Sequence, residues 1–201
     1  MKKYLINDNT KVKKISSQEY LEIERKAQFK SEFYNGEMFA LAGASFIHNK
    51  ISSNIHISIG GQLKNKNCGI YQSDLKVKEQ TSGLFTYPDL VVICGEPEFY
   101  DNGKDVVLNP TVIMEILSPS TENYDRGFKF ELYRKLKSLK DFFLVSQEKV
   151  FIEHYSKNTD NSWTLNEYNN KEQSIIIKSI DCNLKLEDVY YKVNFEESKK
   201  E

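Results

Sequence analysis

Two acidic residues border or interrupt apolar runs, where an ionised side chain is costly. Asp89 directly precedes the run LVVI, and Glu115 lies inside the run VIMEIL. Burying a carboxylate costs free energy unless it is paired, hydrogen-bonded or bound to a cation. If the two runs form neighbouring strands, the carboxylates converge, and a divalent cation relieves their repulsion. Oxygen ligands of this kind suit Mg²⁺ or Mn²⁺.

A lysine is predicted to face the same place. Lys129, Leu132, Tyr133 and Leu136 recur at i, i+3, i+4 and i+7, which is the buried stripe of an amphipathic helix. An inward ammonium needs an anionic partner, and the two acids supply one. Two acids, a lysine and a metal ion suit hydrolysis of a phosphodiester. The metal lowers the pKa of a bound water, and the lysine holds that water or stabilises charge on the phosphoryl oxygens.

Structural alternatives stay open at this point for each of the three residues. Asp89 could simply start a strand, because a Pro-Asp pair is common there, and Glu115 could form a structural ion pair. Lys129 lies near the start of its helix and could extend its ammonium to water. The apolar residues on both sides of Glu115 favour a site.

Three helices are predicted from capping residues and apolar spacing. Ser16 and Glu19 fit a capping box, which opens a helix that we expect to end near Gln28. Ser45 is predicted to cap a second helix, weakened at its end by Gly60-Gly61. Its buried stripe consists of isoleucines at four-residue spacing: Ile47, Ile51, Ile55 and Ile59. The third helix is expected over about 126–138, with Asp125 as its N-cap.

Strand signals fill most of the remaining chain. Asn35-Gly36 suits the type I′ turn of a hairpin. The nearly continuous apolar runs in 87–95 and 110–118 are typical of strands covered on both faces. Further strands are expected in 69–79, 141–146, 149–155, 162–168 and 174–179, with a short helix or turn in 186–193. This order indicates an α/β or α+β domain: a mixed β-sheet flanked by helices, with additional antiparallel strands.

Four stretches make a resemblance to a known family specific. They are FKSEFYNGEMFALAGASFIHN (29–49), YPDLVVICGEPEF (87–99), NPTVIMEILSPSTENYDRGFKFELYRKLKSL (109–139) and FFLVSQEKVFIEHY (142–155). The chain resembles the PD-(D/E)xK nuclease superfamily, which has the restriction-endonuclease-like fold, and in particular its Uma-type branch. The pair PD and E is a weak motif alone, whereas the run EILSPST followed by DRG-x-K-x-x-x-Y is specific.

The resemblance implies Mg²⁺-dependent cleavage of DNA, with Asp89 and Glu115 as metal ligands and the backbone carbonyl of Ile116 as a further ligand. One position departs from the superfamily pattern. The lysine normally lies two residues after the second acid, where this chain has Leu117. In the Uma-type branch the lysine of DRG-x-K takes that role from the helix, and Lys129 matches it.

Four further residues are weaker candidates for the site. Glu32 resembles an acid that related nucleases add as a metal ligand, although an exposed strand acid fits equally well. His48, in the first turn of the second helix, could contact a phosphate or orient a ligand, or be structural. Arg126 and Arg134 belong to a basic cluster around the third helix and could contact DNA phosphates. A solvated helix face is the alternative for this cluster.

Composition limits the remaining possibilities. The 201 residues predict a single domain over 1–201, with 1–14 as a loose N-terminal arm. The 28 basic and 29 acidic residues leave no basic footprint over the whole chain, so DNA binding needs a local patch. No apolar stretch is long enough to span a membrane. The three cysteines form no CxxC motif, and we expect them to be reduced thiols in a cytoplasmic protein without zinc.

The function predicted from these residues is that of a metal-dependent endodeoxyribonuclease. Cutting both strands of a duplex needs two active sites, so we expect a homodimer. A catalytically inactive nucleic-acid-binding or regulatory protein with the same fold is the alternative, favoured by the near-zero net charge and by Leu117. A hydrolase of another phosphate ester is a third possibility.

Overall fold

The computed structural model describes residues 14–119 and 121–196. Its helices in this part of the chain are α1 (Ser17–Glu24), α2 (Phe46–Leu63), α3 (Phe130–Tyr133) and α4 (Leu186–Val189), and a π-helical segment, Tyr124–Lys129, leads directly into α3. The strands are β1 (Ser31–Tyr34), β2 (Glu37–Ala40), β3 (Cys68–Gln72), β4 (Lys76–Glu79), β5 (Leu84–Thr86), β6 (Leu90–Cys94), β7 (Val106–Val107), β8 (Val112–Leu117), β9 (Asp141–Ser146), β10 (Ile152–Lys157), β11 (Trp163–Tyr168), β12 (Ser174–Ile177) and β13 (Cys182–Lys185).

A six-stranded mixed sheet with the order β11-β10-β9-β8-β6-β3 forms the centre of the fold. Strands β8 and β9 are parallel, and β6 runs antiparallel to β8. Both faces are covered, as the continuous apolar runs predicted. Met114 and Ile116 pack against the buried stripe of α2, whereas Ile113 and Leu117 pack on the side of α3. Because strand side chains alternate between faces, Glu115 points to the α3 side.

A second sheet, with the order β2-β1-β5-β4-β7, carries the predicted hairpin. Asn35 and Gly36 have φ values of 49° and 85°, the positive values that a type I′ turn requires. The turn sets the register in which Tyr34 pairs with Glu37 and Glu32 pairs with Phe39. Glu32 thereby lies on a buried strand rather than at an exposed position. A separate two-stranded sheet pairs β12 with β13.

The predicted helix starts are confirmed for α1 and α2, but the predicted end of α1 is not. Ser16 and Glu19 form the capping box, and the Ser45 hydroxyl accepts a hydrogen bond from the His48 amide. α1 ends at Glu24 rather than near Gln28. α2 continues through Gly60-Gly61 to residue 63, because its isoleucine stripe and the last residue of the helix are buried in the core.

The third helix differs more from its prediction. Its helical turns begin at 122, before the expected start, and α3 ends at Tyr133 rather than at 138. Asp125 is not an N-cap but lies inside the π-helical segment, where its side chain is buried. The lysine of the predicted stripe and the apolar residues that follow it, among them Leu136, are all buried, so the inward face of the helix is confirmed.

The expectation of three reduced thiols is wrong. Cys68 and Cys94 form a disulfide between β3 and β6, because the antiparallel register places the two residues directly opposite each other. Spacing along the chain gave no sign of this pairing, since 26 positions separate the two. Cys182 is a buried free thiol.

Other boundaries shifted, and three short strands, β5, β7 and β13, were missed. The stretch 69–79 forms parts of β3 and β4, which belong to different sheets, and β7 lies between the two strands predicted in 87–95 and 110–118. Apart from Lys14, the predicted N-terminal arm lies outside the described residues, and the single-domain assignment stays a prediction. No helix in the described ranges is long and apolar enough to cross a bilayer.

Candidate active site

A buried cluster of three acids surrounds the Lys129 ammonium. Its Nζ lies 3.0 Å from Oε1 of Glu32, 3.1 Å from Oε1 of Glu115 and 3.3 Å from Oδ1 of Asp125. The exposed fractions are 1% for Glu32, 3% for Glu115, 4% for Asp125 and 5% for Lys129. The ammonium is therefore turned inward, and the alternative in which it reaches bulk water does not apply.

The π-helical segment accounts for two members of this cluster. Asp125 and Lys129 are four residues apart, and both point from the segment toward the sheet. A π-helix has a wider turn than an α-helix, and short π-helical stretches occur frequently at functional sites. The same spacing stacks Tyr124 on Phe128, with ring centroids 5.4 Å apart. The segment thus presents an acid, a lysine and an aromatic pair to one region.

Asp89 joins the cluster from the neighbouring strand. The antiparallel register pairs Leu90 with Met114, so Asp89 lies opposite Glu115 at the start of β6. The Asp89 amide donates a long hydrogen bond of 3.4 Å to Oε2 of Glu115. Oδ2 of Asp89 accepts a hydrogen bond of 2.7 Å from the Ile116 amide. The two strands and the helix thus bring Asp89, Glu115 and Lys129 together, although 40 positions separate the first from the last.

His48 lies against Asp89 rather than in open solvent. Its Nε2 is 3.1 Å from Oδ2 of Asp89, and the two side chains are 14% and 19% exposed. The contact exists because the Ser45 cap starts α2 beside β6, and the Ser45 hydroxyl also donates to Oε1 of Gln147 on the other side. This position fits a residue that orients the Asp89 carboxylate better than one that faces solvent.

Buried hydroxyl groups complete the surroundings of the acids. Tyr133 donates a hydrogen bond of 2.8 Å to Oε1 of Glu115, and Tyr124 donates one of 3.1 Å to Oε2 of Glu32. The Thr86 hydroxyl donates a short hydrogen bond to Oε1 of Glu32. Sequence reasoning missed these donors and Asp125. Tyr133 and Asp125 each lie four residues from Lys129, and that spacing is the signal that could have identified them.

The charges in the cluster do not balance. Burial raises the pKa of Glu115 well above its ordinary value; Asp125, Asp89 and Glu32 add to the rise, whereas Lys129 opposes it. Burial also raises the pKa of Asp125. Burial alone would lower the pKa of Lys129, but the surrounding acids, Glu115 and Glu32 foremost, hold it well above its ordinary value. Three carboxyl groups thus contact one ammonium, with Asp89 beside them, and a divalent cation would offset the excess negative charge.

The predicted DNA-binding arginines occupy different surroundings. Arg126 donates a hydrogen bond of 2.8 Å to Glu122 and forms an ion pair with Glu153 on β10. It also lines a polar cavity of about 270 Å³ beyond the ends of β8 and β9. Arg134 is exposed, with its guanidinium 5.2 Å from the centre of the Phe130 ring. Arg126 is therefore engaged in ion pairs within the protein, whereas the Arg134 guanidinium is exposed at the surface.

The family model of Uma2, described as "Putative restriction endonuclease", matches residues 17–187. The chain belongs to the Uma2 family. The description of this family supports a nuclease hydrolase in general.

Two curated relatives come from Synechocystis sp. (strain ATCC 27184 / PCC 6803 / Kazusa), and both are described as uncharacterized proteins. The first, sll1609, is 37% identical over 153 residues, which cover 76% of this chain and 86% of the relative. The second, slr1290, is 34% identical over 177 residues, which cover 88% and 92%.

A solved structure has the same fold. It is described as a "putative nuclease belonging to DUF820" from Anabaena variabilis ATCC 29413. The TM-score is 0.70 at 17% identity, and the match covers 88% of this chain and 97% of that one. The restriction-endonuclease-like fold predicted from the sequence, with a mixed sheet flanked by helices, is confirmed.

Proposed function

We propose that this Uma2 protein is a metal-dependent endodeoxyribonuclease that hydrolyses the phosphodiester bonds of DNA. The observation that carries the proposal is the convergence of Asp89, Glu115 and Lys129, which come from the residue before β6, from β8 and from the π-helical segment. Two carboxylates beside a buried ammonium are the groups that this hydrolysis needs. Membership of a nuclease family agrees with this assignment.

The donor chemistry of the cluster fits Mg²⁺ or Mn²⁺. Within the described ranges, no three His, Cys, Asp or Glu side chains form a ready-made metal cage. Mg²⁺ does not need one, because proteins usually hold it through one or two carboxylates and retain several waters. We assign Asp89 and Glu115 as the carboxylate ligands, the Ile116 carbonyl as a further ligand, and Glu32 as an additional acid. When bound, such an ion makes a water more acidic and polarises a phosphoryl oxygen.

Lys129 would stabilise the negative charge that develops on the phosphoryl oxygens. An ammonium has three N–H donors, and three carboxylates already lie within reach of this one. To reach a water or a phosphoryl oxygen, Lys129 has to release one of them. Asp125 has the longest of the three contacts, 3.3 Å, and is the partner that we expect it to release.

The remaining assignments follow from the reaction. DNA is the proposed partner, with Arg134 contacting a backbone phosphate from the surface and the half-buried Arg126 lining the adjoining cavity. His48 is assigned to hold Asp89 rather than to bind a phosphate directly. A homodimer would supply the two active sites for a double-strand cut. The proposed location is the cytoplasm, although disulfides such as Cys68–Cys94 are rare there.

A second candidate function is a non-catalytic DNA-binding or regulatory protein. Leu117 occupies the position of the usual lysine, and the Lys129 donors are all engaged by acids. These observations favour a site whose lysine stays paired with its acids and does not act on a phosphodiester.

Cleavage assays separate the two functions. Supercoiled and linear DNA are incubated with the protein in Mg²⁺ or Mn²⁺, beside Asp89→Asn, Glu115→Gln and Lys129→Met. Two exposed residues of the same region provide matched controls, Glu131→Gln and Lys137→Met. Nicking or linearisation by the parent and by both controls, lost in the three site variants, supports the nuclease. Equal cleavage by all proteins indicates a contaminant, and a gel shift without cleavage favours the binding protein.

A further inference from the structure

Five buried side chains form a closed circuit of polar contacts, which we call the polar ring: Lys129, Glu32, Thr86, Tyr133 and Glu115. Lys129 bridges the two acids on one side. On the other side, Thr86 donates to Glu32, Tyr133 donates to Glu115, and the two hydroxyl oxygens lie 3.2 Å apart. The ring therefore connects β1, β5, β8 and the third helix through side chains alone.

The ring uses only one oxygen of each acid. Lys129 and Tyr133 both contact Oε1 of Glu115, at 3.1 Å and 2.8 Å. Oε2 of Glu115 is left facing the Asp89 backbone, with the amide 3.4 Å away. Because two donors hold Oε1, the plane of the carboxylate is fixed, and its second oxygen points toward the other proposed metal ligand.

Lys129 alone could not fix this orientation. Its ammonium is a compact charge on a flexible stem and imposes little directional preference. The Tyr133 hydroxyl sits on a rigid, fully buried ring that packs 5.6 Å from the Phe142 ring. Thr86 is also fully buried, and its β-branched side chain has few rotamers. The two hydroxyls, rather than the lysine, fix the orientation of the carboxylates in the ring.

We propose that Tyr133 and Thr86 are positioning residues for the metal site. Tyr133 turns Oε2 of Glu115 toward Asp89, and Thr86 donates its one hydroxyl proton to Glu32 while its oxygen lies against the Tyr133 hydroxyl. Both residues are fully buried, so we assign neither hydroxyl to contact with DNA. The inference rests on the proposed metal-dependent function, and it assigns to the tyrosine of the DRG-x-K-x-x-x-Y run a role beyond packing.

Metal affinity is the measurement that tests this role, because a purely structural hydroxyl would not change it. Mn²⁺ binding is followed by isothermal titration calorimetry on the purified chain without DNA. Loss of a group that orients a metal ligand typically weakens binding by about 10–100-fold. We expect Kd to rise in this range for Tyr133→Phe. Thr86→Val should have a smaller effect in the same direction, and Thr86→Ser, which keeps the hydroxyl, should retain the parent Kd.

Tyr190→Phe is the matched control. Tyr190 is equally buried, and its hydroxyl bonds to backbone groups of residues 146 and 151 rather than to an acid of the ring. It should lower the melting temperature and leave Kd unchanged. If the parent binds Mn²⁺ and Tyr133→Phe binds it equally tightly, the positioning role is wrong and the nuclease proposal stands. If the parent itself binds no Mn²⁺, both proposals fail.

Discussion

Replacing Lys129 by methionine would leave three carboxyl groups facing one another in the interior with no ammonium between them. All three lie within 3.3 Å of its Nζ, and none is more than 4% exposed. Water cannot screen these groups as it does at a surface. Methionine has a similar length and no charge, so the substitution removes the ammonium while it keeps most of the packing volume.

The expected loss is large but leaves a folded protein. Removing one partner of a buried ion pair typically costs about 3–5 kcal/mol, because the remaining charge is uncompensated. The free energy of unfolding of a domain is about 5–15 kcal/mol. With a urea dependence of about 2 kcal/mol per molar, the unfolding midpoint of Lys129→Met should fall by about 2 M. The exposed Lys137→Met should shift it by about 0.25 M or less.

A second substitution tests whether the loss is electrostatic. Glu32→Gln in the Lys129→Met background removes one of the uncompensated carboxyl groups and should recover part of the lost stability, whereas in the parent it should destabilise. Urea unfolding of the four proteins, followed by circular dichroism, gives the coupling energy of the pair. A loss below about 1 kcal/mol for Lys129→Met, or additive effects of the two substitutions, would refute the description of the cluster as a charge-coupled unit.

Two other contacts give predictions at a distance from the site. Burial alone would raise the pKa of Asp105, but hydrogen bonds from Arg25 and Lys76 lower it to about 2. An acid whose pKa is lowered by folding stabilises the folded state at every pH above the pKa that it has in the unfolded chain, about 3.9. This contribution to the free energy of unfolding disappears as the pH falls from about 3.9 toward about 2. Asp105→Asn should therefore cost about 1–2 kcal/mol at pH 7 and almost nothing near pH 2; equal losses at both pH values in urea titrations would contradict the ion pair. Removing the Cys68–Cys94 disulfide with a Cys68→Ala, Cys94→Ala double variant should cost about 2–4 kcal/mol, and mass spectrometry after alkylation in denaturant without reductant should find a single modified cysteine in the parent. Three modified cysteines would show that the disulfide does not form.

The main elements of the site could be predicted from the sequence because they depend on local patterns. Asp89 and Glu115 stood out as acids in apolar runs, and the stripe that begins with Lys129 indicated which helix face is buried. Capping and turn residues located the starts of α1 and α2 and the β1–β2 hairpin. These signals need only neighbours a few positions apart.

What could not be predicted depends on contacts between distant segments. The π-helical segment converts Asp125 from an expected cap into a buried partner of Lys129, and no propensity rule indicates where an α-helix widens. Thr86 had no distinguishing neighbour, and it matters only because β5 lies beside β1. The Cys68–Cys94 pair follows from strand register, which spacing along the chain does not give.

The missing strand lysine and the π-helical segment can be understood together. Leu117 follows Glu115 by two residues, points to the same side of β8 and is buried among apolar side chains of the third helix. An ammonium at this position would have to displace that packing to reach the acids. Lys129 instead approaches from above the sheet, between Glu32 and Glu115, and the wide turn supplies Asp125 as a third partner. The site thus keeps one ammonium beside its acids, while Leu117 packs in the hydrophobic core. Three carboxylates rather than one stabilise the buried ammonium and offset the loss of its hydration.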